Sequence, residues 1–194
     1  MAPSDRLPLN AQVLGRGALL GAVAYVLGYL LTFLVVSASG GGSTGDSPVP
    51  GWTVVGWYFY NGHFVNLDVS GELAGLAASD LSSLVAASDS ATVQLVYLAP
   101  VVALLVAAVL LYRQLGPLPE PRDAALAGAL VVVGYLPLAV VGALATAYTG
   151  SISVLGFQVG SVTVQPQLLP AVVLAGLAYP LVVGTLGGLG ASRL

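Results

Sequence analysis

The three longest stretches of this 194-residue chain without Asp, Glu, Lys or Arg are Gly17 to Gly45, Ser90 to Tyr112, and Ala124 to Ser192. An α-helix rises 1.5 Å per residue, so about 20 apolar residues cross the roughly 30 Å of hydrocarbon in a bilayer. Each stretch holds at least one such segment, and the last, 69 residues long, holds two. The candidate spans are 17–37, 92–112, 124–147 and 168–189. Charged residues are 7% of the chain, against about 25% in an average soluble domain, too few to coat a surface facing water. The expected fold class is a membrane all-α bundle of four transmembrane helices carrying a small extracellular antiparallel β-sheet cap.

Orientation follows from the bases, which are all arginine. Arg6 and Arg16 lie in the N-terminal segment 1–16, Arg113 and Arg122 in the connection 113–123, and Arg193 in the tail 190–194. Positive charge near span ends is retained in the cytoplasm, so both termini are expected inside a multi-pass plasma-membrane protein. The outer segments are then 38–91 and 148–167. The first holds Asp46, Asp68, Glu72, Asp80 and Asp89 with no base, and the second is uncharged. A cleaved signal peptide is the rival for the first span, but its apolar core would be roughly 7 to 15 residues, shorter than this run of about 20. A net charge of -3 offers no basic face for phosphates, which disfavours nucleic acid as a partner. The absence of cysteine excludes disulfides, thiolate metal sites and cysteine nucleophiles.

Outside the spans, Ser39 to Gly51 is a Gly, Ser and Pro linker. Residues 52–69 are dense in aromatic and β-branched side chains around Asn61-Gly62, a pair suited to a tight hairpin turn. This predicts strands over Trp52 to Tyr60 and His63 to Val69. Over 72–87, Leu73, Leu76, Ala77, Leu81, Leu84 and Val85 recur at three- and four-residue spacing, which predicts an amphipathic helix. Alternation over Ser151 to Leu155 and Gln158 to Val164 predicts two more strands, and the two outer loops are expected to share one sheet over the helix ends.

Ion-coupled transport normally needs ionisable groups inside the spans, and these spans have none. Uncharged chemistry remains. Pro100, Pro137 and Pro180 can each free a backbone carbonyl near a tyrosine, so Pro100, Tyr135, Pro137, Tyr179 and Pro180 form a candidate helix-break or cavity set. Ordinary helix packing is the plainer reading of the same residues. His63, with Asp68 and Glu72, matches no zinc or hydrolase spacing, and G-x-S-x-G, P-loop and H-E-x-x-H motifs are absent. No catalytic, cofactor-binding or metal residue is therefore expected. Trp57, Tyr58, Phe59, Tyr60, His63 and Phe64 either anchor the hairpin at the interface or present a surface to another membrane or cell-surface protein, or to a second copy. The functional expectation is a non-enzymatic structural or accessory subunit embedded in the lipid bilayer; the alternative is a facilitative channel or transporter for a small uncharged solute.

A shift of 106 residues brings Arg16 onto Arg122 and Gly28-Tyr29-Leu30 onto Gly134-Tyr135-Leu136. The chain can thus be read as a tandem two-helix repeat about an axis along the membrane normal. Coincidence is the alternative, because such matches come easily in a chain rich in Ala, Leu, Val and Gly. The lack of Lys, the acidic outer segments and the strings WYFYNGHFV (Trp57 to Val65) and LAYPLVVGTLGG (Leu177 to Gly188) resemble an uncharacterised family of small haloarchaeal integral membrane proteins. That resemblance implies an archaeal plasma-membrane address and supplies no activity and no catalytic residues.

Overall fold

A computed structural model describes residues 10–40, 48–73, 76–116, 118, 120–154 and 157–193. Arg6, Asp46 and most of the expected linker lie outside them. In chain order come α1 (Ala11–Ala38), a short α2 (Gly51–Asn61), β1 (Leu67–Leu73), β2 (Leu76–Ser82), α3 (Ala91–Leu115), α4 (Pro121–Ala145), β3 (Tyr148–Val154), β4 (Phe157–Pro166) and α5 (Leu168–Ala191). Four of the helices, α1, α3, α4 and α5, are long and apolar enough to cross a membrane.

Local chemistry starts and bends these helices. The Asn10 side chain accepts from the Val13 N–H at 2.9 Å and so caps α1, while Pro121 sits in the first turn of α4, where its missing N–H costs nothing. Pro100 cannot bond back to Val96. A 3₁₀ turn over Leu95–Leu98 answers this, with the Ala99 N–H donating to the Val96 carbonyl. Ahead of Pro180, α5 widens into a π-helical stretch, Ala171–Ala178, in which the Tyr179 N–H reaches back five residues to Leu174.

The helices approach most closely in the half of the bundle that holds the arginines. A Cβ on Gly128 or Gly188 would collide with backbone of the facing helix, as would one on Gly21 or Gly134, so these contacts exist because the positions are glycine. Arg16 Nη1 donates to the Gln114 carbonyl at 2.9 Å, joining the start of α1 to the end of α3. Because successive long helices run in opposite directions, Arg113, Arg122 and Arg193 fall at that same end. The strands emerge from the other.

The four strands form one antiparallel sheet in the order β2-β1-β4-β3. Its central pair, β1 with β4, joins the two inter-helix connections, Val69 lying opposite Val164. The sequence expectation of one sheet drawn from both loops is met. Two other expectations are corrected. Residues 52–60 are helical, and Asn61-Gly62 closes a helix rather than turning a hairpin. Phe64, at φ 58°, takes the left-handed position after α2 that glycine usually fills. The Val65 N–H then bonds to the Tyr60 carbonyl and the Phe64 N–H to that of Asn61. The amphipathic helix expected over 72–87 is replaced by the end of β1, all of β2 and a short turn. The run LDVSGEL alternates at period two, and pairing with β4 satisfies its backbone, whereas Gly71 and the Ser and Asp residues that follow favour a helix weakly.

Helix, hairpin and helix do occur twice in the chain. Yet α2 has no counterpart in the second half, where only Thr146 and Ala147 separate α4 from β3. An axis exchanging β1 with β3 and β2 with β4 would also turn the central β1–β4 pair into β3–β2, which are not neighbours.

Candidate functional site

Away from the close glycine contacts the four long helices leave a space that α2 fills. Thr53, Val55, Gly56, Trp57, Phe59, Tyr60 and Asn61 are all buried, while Trp52 near its start is exposed. Its fit depends on small residues around it. A Cβ on Gly56 would strike the Thr146 methyl, one on Gly62 would lie 2.9 Å from the Val96 carbonyl oxygen, and one on Gly142 would collide with the Tyr25 and Tyr60 hydroxyls. Edge-on ring contacts surround Phe59, with centroids at 5.0 Å to Tyr25 and 4.7 Å to His63.

Polar atoms inside this cluster are satisfied in a definite direction. His63 Nδ1 lies 2.8 Å from the Phe59 carbonyl, which can only accept, so Nδ1 carries the proton. Burial pushes the imidazole down to about 4, and the neutral ring accepts at Nε2 from the Tyr135 hydroxyl, 2.7 Å away. In the second run, the Tyr60 hydroxyl donates to the Ala139 carbonyl and accepts from Tyr25 at 3.1 Å. Trp57 Nε1 donates to the Thr146 carbonyl at 2.8 Å, and the Tyr179 hydroxyl donates to the Gly62 carbonyl at 3.3 Å. Each run ends on a backbone carbonyl. These bonds fasten α2 to α1, α4 and α5 and leave the ring nitrogens no free position for a substrate or metal.

The expected partner-binding aromatics are therefore corrected. Trp57, Phe59, Tyr60 and His63 are buried in the bundle, Tyr58 is half-buried, and only Phe64 of that set is exposed, with its ring stacked on Tyr97 at 4.9 Å. Continuous aromatic character reflects burial on all sides of a helix, not a displayed surface. The expected cavity set is also dispersed. Tyr135, Pro100 and Pro180 are buried, Tyr179 is half-buried and Pro137 is exposed. The position that Tyr135 was expected to open onto is occupied by His63. A groove of about 290 Å³ beside the start of α2, between α1 and α4, opens outward and includes Tyr25, Tyr29, Trp52 and Thr146.

Sequence reasoning passed over Asp123, in the first turn of α4, which is 2% exposed and whose Oδ2 has no hydrogen-bond partner among the described residues. The register sorts the residues of the expected sheet onto two faces. Asp68, Ser70 and Glu72 share one face of β1 with Thr149, Ser151, Ser161, Thr163 and Gln165 on its neighbours, while Val69, Val162, Val164, Tyr148 and Ile152 share the other. None of these residues is buried, and the register also places Asp80 on the valine face, opposite Val69. The bundle's buried clusters include none of those five apolar residues.

Residues 2–194 match the sequence model of the family of unknown function DUF7978, and the chain belongs to that family. None of the curated proteins and none of the solved structures compared matches it.

Proposed function

We propose that this DUF7978 chain is a plasma-membrane protein of four spans, with both termini in the cytoplasm and its sheet outside, acting as a structural or accessory subunit that meets a partner through that sheet. Exposed Leu19, Leu34, Val141, Leu144, Leu169 and Val182 on the long helices support contact with lipid. Gathering of Arg16, Arg113, Arg122 and Arg193 opposite the sheet supports the orientation.

The observation that carries the functional reading is the contrast between a filled interior and an open sheet. A facilitative pathway needs a wetted route past Tyr135, and α2 with the turn that follows it fills that route with Phe59, Tyr60 and His63, all fully buried. A surface for recognition is instead offered by two differently made sheet faces. The test is isolation of the tagged full-length chain from gently solubilised membranes at high salt. Specific retention of a partner, lost when the sheet residues 67–82 are replaced by a short Gly-Ser loop, is the expected result. A lone monomer under every mild condition sinks the proposal.

A further inference from the structure

The groove beside the start of α2 is lined by the rings of Tyr25, Tyr29 and Trp52 and by the small residues Gly142, Ala145 and Thr146, with exposed Val26 and Leu30 completing it. Its aromatic part is tied down. The Tyr29 hydroxyl donates to the Trp52 carbonyl, and the Tyr25 hydroxyl bonds to that of Tyr60 at 3.1 Å. Thr146 turns its own hydroxyl back onto the Gly142 carbonyl at 2.9 Å. All three hydroxyls of the lining are thus spent inside the protein, and what the groove offers a guest is ring faces and hydrocarbon. A polar solute would find no side-chain hydroxyl to replace its water.

Size narrows the choice further. One turn of α-helix, about 10 Å across and 5.4 Å long, fills roughly 420 Å³. The groove holds about 290 Å³, so a helix of another chain does not fit within it. The same space exceeds the roughly 150 Å³ of a dry apolar cavity that takes up benzene, and suits a stretch of alkyl chain. Ala145 ends α4 just before the strands begin, which puts the groove in the half of the bundle away from the arginines. Its lining is continuous with the exposed apolar residues Leu34 of α1 and Val141 and Leu144 of α4. Trp52, exposed at the start of α2, adds an amphipathic ring of the kind that sits at headgroup depth. We infer that the hydrocarbon tail of an outer-leaflet lipid occupies this groove as a fixed ligand, a step that rests on the membrane orientation proposed above. Lipid tails are as apolar as the lining, so the hydrophobic effect does not select this place. Shape does: a tail between α1 and α4 is touched from several sides, whereas one against a convex helix is touched from one, and every added atom pair contributes dispersion. Walls already held by hydrogen bonds need little ordering when the tail enters.

The full-length chain, extracted in mild detergent and stripped of co-purifying lipid, is titrated with dioleoylphosphatidylcholine and read by native mass spectrometry. One lipid per chain is expected to bind before any further lipid does. Ala145→Phe and Val26→Phe each place a ring in the groove from an exposed position and should weaken that first binding about tenfold, as overfilling a packed space does. Val182→Phe, at an exposed site on α5 outside the groove, should leave it unchanged. Thermal unfolding checks each fold, and either groove variant suffices if the other misfolds. The absence of a preferred first lipid, or equal binding by the groove variants and Val182→Phe, overturns the inference. So does a dimer mass that the groove substitutions abolish, since a second copy would then be the occupant. An alkaline wash of the membranes separates this failure from that of the membrane reading: chain that stays in the pellet keeps its spans in lipid without a bound tail, and chain released to the supernatant makes the membrane reading itself wrong.

Discussion

Residues 51–61 and 68–72 belong to the same connection between two long helices, yet most of the first are buried and none of the second is. The difference lies in what their side chains can satisfy. In α2 and the turn after it, the polar atoms of Trp57, Tyr60, Asn61 and His63 each find a carbonyl or hydroxyl inside the protein, so this aromatic bulk is buried without orphaned donors. In β1 and its neighbours, Ser, Thr, Asp and Glu alternate with valine, and one face always needs water. A dense run of rings is a packing element, and an alternating polar run is a surface.

The sharpest way to break that comparison is Phe59→Ala. Phe59 has no exposed surface and touches rings of α1, of its own helix and of His63, so its truncation should destabilise the bundle by about 4 kcal/mol, read by denaturant titration in detergent. A loss below about 1 kcal/mol would mean that α2 is not packed as described.

Acid comes next. The folded pKa of His63 is depressed to about 4 from an ordinary 6.5, so between those values the unfolded chain binds more protons and stability falls as pH falls. The decline begins near pH 6.5 and levels off near 4, reaching on the order of 3 kcal/mol. The wild type should show this slope and His63→Gln should lack it, both measured by thermal unfolding across the same buffers. Tyr135→Phe removes the donor to Nε2 and leaves a buried acceptor unpaired, for an expected loss of about 2 kcal/mol. The smallest effect belongs to the sheet. Thr149→Val breaks a hydroxyl pair with Thr163 at 2.9 Å on an exposed face and should shift stability by no more than about 0.5 kcal/mol.

The long helices were legible because charge is absent over lengths that only a buried or membrane helix can use. Pairing between the two loops was legible too, from the alternation over 151–164. α2 was not, because a short apolar run with no polar side looks the same as a buried strand or a buried helix. Pro48 and Pro50 ahead of Gly51 were the available signal of a helix start, and Asn61-Gly62 suits a helix end as well as a hairpin. For the first hairpin the overlooked sequence cue was Gly75, between Leu73 and Leu76. His63 and Tyr135 each drew attention singly, but a hydrogen bond across 72 positions of sequence exists only once the helices have packed.

α2 lies inside the bundle while the sheet stands outside it. Val55→Cys, at a site 1% exposed in α2, and Ser151→Cys, on the exposed face of β3, can be compared by maleimide labelling in intact membranes. Rapid reaction at Ser151→Cys and none at Val55→Cys until the protein is denatured is the predicted result. Equal rapid labelling at both positions would contradict it.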